Sequence, residues 1–218
     1  MHSVELAEQR IPVGKIVAIA RNYAEHAREL GNPLPADSQP VLFIKPASSL
    51  LADGGTVLIP AYTSDCHHEI ELAILIGTRG KNIAEEEAMQ HVAGYGVALD
   101  LTLRDLQNRQ KAQGLPWEIA KAFDTACPVS RFVPAASVVD PQRLRLELRV
   151  NGEPRQQGTT AAMLRPIPRL IAEASRYFTL EAGDILLSGT PAGVGAIRSG
   201  DILEATISEV GTLRVTVA

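Results

Sequence analysis

Cysteine is scarce in this chain of 218 residues, which carries only Cys66 and Cys127. Two thiols build no disulfide framework. Neither lies in a C-x-x-C pair or beside further soft ligands, which leaves out a thiolate zinc site. Long apolar runs are lacking too: no stretch approaches the roughly 18 residues of a membrane-spanning helix, and no basic segment followed by an apolar one opens the chain. Basic charge is also short. Lys and Arg number 21 against 25 Asp and Glu, a net charge of -4 with a pI near 5.8. Without a basic stripe, nucleic acid and anionic membrane are excluded as main partners. No low-complexity segment and no repeat with a period of roughly 20–50 residues is present. The expectation is a soluble, cytoplasmic protein. A small anionic substrate stays admissible, because a local cation cluster or a bound metal outweighs the global charge.

What is present is a globular composition, 45% hydrophobic and 21% charged, in a chain long enough for one sizeable core. Residues 1–218 are expected to form a single catalytic domain, with 1–13 as a polar lead-in. Apolar or alternating runs predict strands at 15–20, 41–45, 56–59, 68–76, 94–100, 143–150, 184–188, 202–208 and 212–217. Asn151-Gly152 is a hairpin turn signal directly after one of them. Helices are expected over 24–30, stopped by Gly31, and over 83–92, 102–113 and 167–178, the last with Pro168 in its first turn. The Pro-rich segment 32–40 is a candidate lid or a plain connection. The sum is an α+β chain, predominantly β, with few helices.

Chemistry concentrates at His67, His68, Glu69, Ile70 and Glu71. On a strand, Glu69 and Glu71 point to one face roughly 6–7 Å apart, at the start of an apolar run. Buried together they repel and demand compensation, for which a hard cation is suited. In isolation an alternating strand with a solvated acidic face is the commoner reading of Glu-x-Glu. Asp100, ending a second apolar strand, adds a third acid, although it can also cap the helix that follows. Three acids at strand ends can supply Mg²⁺ or Mn²⁺ with oxygen ligands and leave positions for water or substrate. The two histidines are left outside the ligand set.

Six ordered segments resemble the fumarylacetoacetate hydrolase family. They run from Ala20 to His26, Leu42 to Pro46, His67 to Leu72, Ala98 to Asp105, Pro116 to Phe123 and Leu187 to Gly195. The nearest likeness is to its small single-domain acylpyruvases. The resemblance implies a mixed β-sheet roll with a few short helices, a homodimer and a metal centre. It places the metal ligands at Glu69, Glu71 and Asp100, an active-site lysine at Lys121, and a water-activating pair at His26 and Glu29. Spaced i and i+3, these last two would share one helical turn. Arg21, Arg104, Gln107 and Thr190 match residues near the substrate, the last in a loop whose backbone and hydroxyl approach the ligand. The implied activity is metal-dependent hydrolysis of a C–C bond in a 2,4-dioxo acid, of the acylpyruvate or fumarylpyruvate type, releasing pyruvate and a carboxylic acid. Alternatives on the same centre are oxaloacetate decarboxylation and isomerisation or tautomerisation of a 2-oxo dioic acid. A catalytically silent binding protein is a further alternative of a different class.

Overall fold

A computed structural model describes residues 2–31 and 39–218. Most of the candidate lid, 32–38, lies outside the described residues.

The centre is an eight-stranded mixed sheet. Its strands run in the order Val41–Pro46, Lys15–Ala20, Ile185–Leu187, Ile70–Ile76, Val92–Leu99, Cys127–Val129, Leu50–Ala52, with Val133–Pro134 also paired to Val92–Leu99. Both faces are covered, so its strands read as unbroken apolar runs rather than alternating ones; all seven residues of Ile70–Ile76 are buried. On one face Ile70, Leu72, Ile74 and Ile76 meet Leu146, Leu148, Leu203, Leu213 and Val215 of a five-stranded sheet, together with Leu170, Ile171 and Ala174 of the Ile167–Tyr177 helix. On the other, Ala73 and Leu75 join Ile16, Ala18, Ile185, Leu187 and Phe132. Truncating one such leucine to alanine costs about 2–5 kcal/mol.

The five-stranded sheet has the order Glu153–Thr159, Arg145–Val150, Ile202–Ile207, Gly211–Val217, Thr56–Val57. Its outer face is wet, and Ile202–Ile207 alternates in burial accordingly. A one-residue slip would carry Leu203, Ala205 and Ile207 out of the core, which fixes the register. Asn151 and Gly152 both take positive φ, 53° and 83°, as the two-residue hairpin requires.

Four α-helices are described: α1 (Ala24–Glu29), α2 (Arg104–Gln113), α3 (Glu118–Lys121) and α4 (Ile167–Tyr177). No helix among the described residues is long and apolar enough to cross a membrane. Several expectations are corrected. The lead-in folds as an antiparallel hairpin, Ser3–Leu6 with Gln9–Pro12. The segment at 83–92 is a 3₁₀ turn over Glu85–His91. The helix expected from 102 begins at Arg104, because Thr102–Leu103 is drawn into strand pairing with Cys66–His68. Its N-cap is Leu103, so Asp100 does not cap it. The short α3 has no signal in the sequence.

The correction that matters most lies at 66–76. The run expected as one strand changes sheets at Glu69. Cys66–His68 belongs to a small three-stranded sheet with Thr102–Leu103 and Gly195–Ile197, whereas Ile70–Ile76 belongs to the central sheet. Glu69 sits at the break, where its carbonyl accepts the Asp100 N–H at 2.8 Å, one step beyond the Ile70–Leu99 pair.

Candidate active site

That junction brings the three acids together. Glu69 follows one strand end, Glu71 is second in the next strand, and Asp100 follows the neighbouring strand directly. One oxygen from each lies within 4.8 Å of the others, and all three residues are at most 4% exposed.

Buried carboxylates need partners. Glu69 accepts from the Arg104 guanidinium and from Lys121 Nζ at 2.9 Å. The same ammonium reaches Asp100 Oδ2 at 2.6 Å, while Lys45 Nζ lies 2.7 Å from Asp100 Oδ1. Burial favours the protonated form of Glu69, but Lys121 and Arg104 outweigh it and hold the carboxyl well below its ordinary range. Burial likewise opposes the charge on Lys121, and Asp100 and Glu69 reverse that, raising its pKa. Glu71 is different. Its Oε2 accepts the Gly189 N–H at 2.6 Å, yet it makes no ion pair among the described residues. Burial, then Asp100 and Glu69, push its carboxyl well above the usual range. A buried acid with an excess affinity for a proton is short of positive charge. Three hard oxygen donors with such a deficit fit Mg²⁺ or Mn²⁺ and would not suit a thiophilic ion.

The acids form the floor of a cleft of about 460 Å³, counted to its open mouth. Arg21, His26, Phe43, Gln107, Trp117 and Thr190 are among its walls. Phe43 and Trp117 pack with ring centroids 6.0 Å apart, and Lys121 Nζ lies 5.0 Å from the Phe43 centroid.

Nine of the ten residues expected at the site line this cleft, and Glu29 stands behind His26. His26 Nδ1 lies 3.1 Å from Glu29 Oε2 within α1, and Glu29 Oε1 accepts the Gly193 N–H at 3.0 Å. The carboxylate therefore orients the imidazole and ties it to the glycine-rich loop, and the ring is buried at the cleft wall. Arg104 points inward and donates to Gln107 Oε1 at 2.7 Å. Its neighbour Asp105 points away, to accept from Thr63 Oγ1 at 2.7 Å. Arg21 holds φ at 61°, a left-handed conformation that costs a side-chain-bearing residue roughly 1–2 kcal/mol.

Thr190 differs from expectation. Its hydroxyl donates to Ile70 O at 2.7 Å and accepts from Gln156 Nε2 at 2.8 Å, so its proton is not available to a ligand. Its backbone N–H has no acceptor among the described residues. His67 and His68 stay outside the ligand set. His67 Nε2 pairs with Asp65 at 2.9 Å and His68 Nδ1 donates to Gln156 Oε1 at 3.0 Å, with burial lowering both pKa values.

Two residues escaped the sequence reading. Gln156, fully buried in the five-stranded sheet, uses its whole amide: Oε1 accepts from Ile70 N–H and His68, and Nε2 donates to Thr190 Oγ1 and Pro191 O. It pins the sheet change at Glu69 to the glycine-rich loop. Lys45 is 0% exposed, and its ammonium meets Asp100 and the carbonyls of Leu101 (3.3 Å), Ala126 (3.0 Å) and Lys121. A lysine inside the apolar run Val41–Pro46 was the available signal, since buried lysines are almost always paired. Gln156 sits in a polar hairpin strand and carries no such mark.

Residues 15–218 match the family model described as the fumarylacetoacetate (FAA) hydrolase C-terminal. The chain is 53% identical to oxaloacetate tautomerase YcgM of Escherichia coli, with 89% of each chain covered. It is 48% identical to the rat mitochondrial oxaloacetate tautomerase FAHD1, over 93% of this chain and 90% of that one. Among solved structures, fumarylpyruvate hydrolase from Pseudomonas aeruginosa in complex with Mn²⁺ and pyruvate superposes with a TM-score of 0.94, at 38% identity and with 100% and 97% of the two chains covered. With the acidic triad, the sheet topology and this likeness over nearly all its length, the chain belongs to the fumarylacetoacetate hydrolase family.

Proposed function

We propose that this enzyme interconverts the keto and enol forms of a short 2-oxo dioic acid of the oxaloacetate type. The observation that carries this reading is one cleft in which an oriented imidazole, His26, and a buried ammonium, Lys121, line the same space as three buried carboxylates close enough together to hold a metal ion. The E. coli and rat tautomerases support it over the hydrolytic reading suggested by the motifs alone.

Glu69, Glu71 and Asp100 would hold the ion. Bound there, Mg²⁺ or Mn²⁺ would supply a Lewis acid that polarises the 2-oxo group and increases the acidity of the adjacent C3–H bond. His26 Nε2 takes the C3 proton, while Glu29, whose carboxylate accepts the Nδ1–H, stabilises the imidazolium that results. Lys121 lies against the floor and donates a hydrogen bond where charge grows on oxygen. The proton taken from C3 ends on the 2-oxygen to give the enol, and the reverse sequence returns it. Phe43 and Trp117 keep one wall apolar, which strengthens these interactions.

A hydrolase would use the same imidazole on water, and the Pseudomonas structure keeps that second reading alive. Mass spectrometry separates the outcomes. Tautomerisation leaves the mass unchanged, decarboxylation gives pyruvate and CO₂, and hydrolysis of an acylpyruvate gives two acids. The expected result is accelerated enol decay with Mg²⁺ or Mn²⁺, lost with EDTA and reduced about 10²–10⁴-fold in His26→Ala. An enzyme that leaves the tautomer ratio relaxing at the spontaneous rate with either metal refutes the proposal.

A further inference from the structure

Three side chains share one face of α2. Arg104, Gln107 and Lys111 stand at i, i+3 and i+7. The first two are buried on the floor, where Arg104 reaches Glu69. Lys111 lies two turns farther along, about 10 Å at 1.5 Å per residue, and is only partly buried. Side chains on a helix lean toward its N-terminus, which here is the end that Arg104 holds at the floor, and Lys111 lines the cleft.

Arg21 lines the same cleft and is likewise half-buried. Its left-handed backbone is held in place from the next residue. Buried Asn22 donates to Arg165 O at 3.1 Å and to Ser188 O at 2.8 Å, and its Oδ1 accepts the Arg165 N–H at 2.7 Å. Strain of this kind persists where surrounding structure over-determines it, which is common where a side chain has to be presented to a ligand. Burial, with Arg21 and Arg104 nearby, lowers the Lys111 pKa, so the three cations are close enough to repel. On the floor, Lys45, Lys121 and Arg104 are matched by carboxylates. Arg21 forms no ion pair among the described residues.

We propose that Lys111 and Arg21 form a subsite for the distal carboxylate of the substrate, so that the pocket selects short 2-oxo dianions over acylpyruvates with an uncharged tail. This inference rests on the functional reading above, since it assumes that the 2-oxo end sits on the acidic floor.

Calorimetry on the Mn²⁺-loaded protein with oxaloacetate and pyruvate tests the subsite apart from turnover. The wild type is expected to bind oxaloacetate at least about 100-fold more tightly than pyruvate, as two charge-assisted contacts imply. Lys111→Met is expected to remove about 10-fold of that preference and leave pyruvate within twofold, Lys111→Arg to retain it, and Lys111→Met with Arg21→Met to abolish it. The KM for oxaloacetate should rise in parallel. Equal binding of the two acids by the wild type overturns the subsite. So does a loss of pyruvate binding in Lys111→Met as large as that of oxaloacetate, which marks general damage. A wild type that prefers oxaloacetate but does not convert it overturns the proposed reaction and leaves the subsite standing.

Discussion

Replacing Lys45 with methionine keeps the length and apolar stem of the side chain and deletes only its ammonium. In the native protein that ammonium sits at 0% exposure among Asp100 Oδ1 and three carbonyls. Removing one partner of a buried ion pair costs about 3–5 kcal/mol, because the other charge remains out of water. Lys121 still reaches Asp100 Oδ2 at 2.6 Å, which places this case toward the lower end. For a chain of this size each kcal/mol shifts Tm by about 2–4 °C, so a fall of roughly 6–12 °C follows from 3 kcal/mol. Since Lys45 also accepts the task of fixing Asp100 against the carbonyl of Lys121, Mn²⁺ affinity should drop with it. The assay is thermal unfolding in EDTA, followed by Mn²⁺ titration of the folded variant at low temperature. A Tm within 2 °C of wild type, with unchanged Mn²⁺ affinity, would refute the argument that this cation is structurally required.

Thr190→Val should lower Tm, because a hydroxyl that both donates to Ile70 O and accepts from Gln156 is lost. About 1–3 kcal/mol is expected, read by thermal unfolding, and an unchanged Tm would show that this hydroxyl does not hold the loop. Cys66 and Cys127 should resist a thiol reagent at pH 8 in the native protein and both react after denaturation. Burial pushes each thiol up to about 12, so almost no thiolate is present; rapid native labelling contradicts this.

Local pattern carried much of the architecture. The apolar runs at Lys15–Ala20 and Ile70–Ile76, the alternation at Ile202–Ile207 and the Asn151-Gly152 turn are each decided by neighbours in sequence, through side-chain periodicity and backbone preference. The residue types at the site were legible for a related reason: acids on apolar strands are costly, and such costs are rarely carried without a purpose. What the chain order did not contain is where strands change partners. The break at Glu69, the strand pairing that delays α2 to Arg104 and the 3₁₀ form of 85–91 all arise from competition between local preference and long-range pairing.

The same division runs through the site itself. That Glu69, Glu71 and Asp100 were suited to a hard ion followed from residue chemistry and family likeness. That Lys45 locks Asp100, that Gln156 ties two sheets to the glycine-rich loop, and that the Thr190 proton is already committed depend on groups tens to more than a hundred residues apart. A hydrogen bond depends on position within fractions of an ångström, and only the closed fold sets positions that finely.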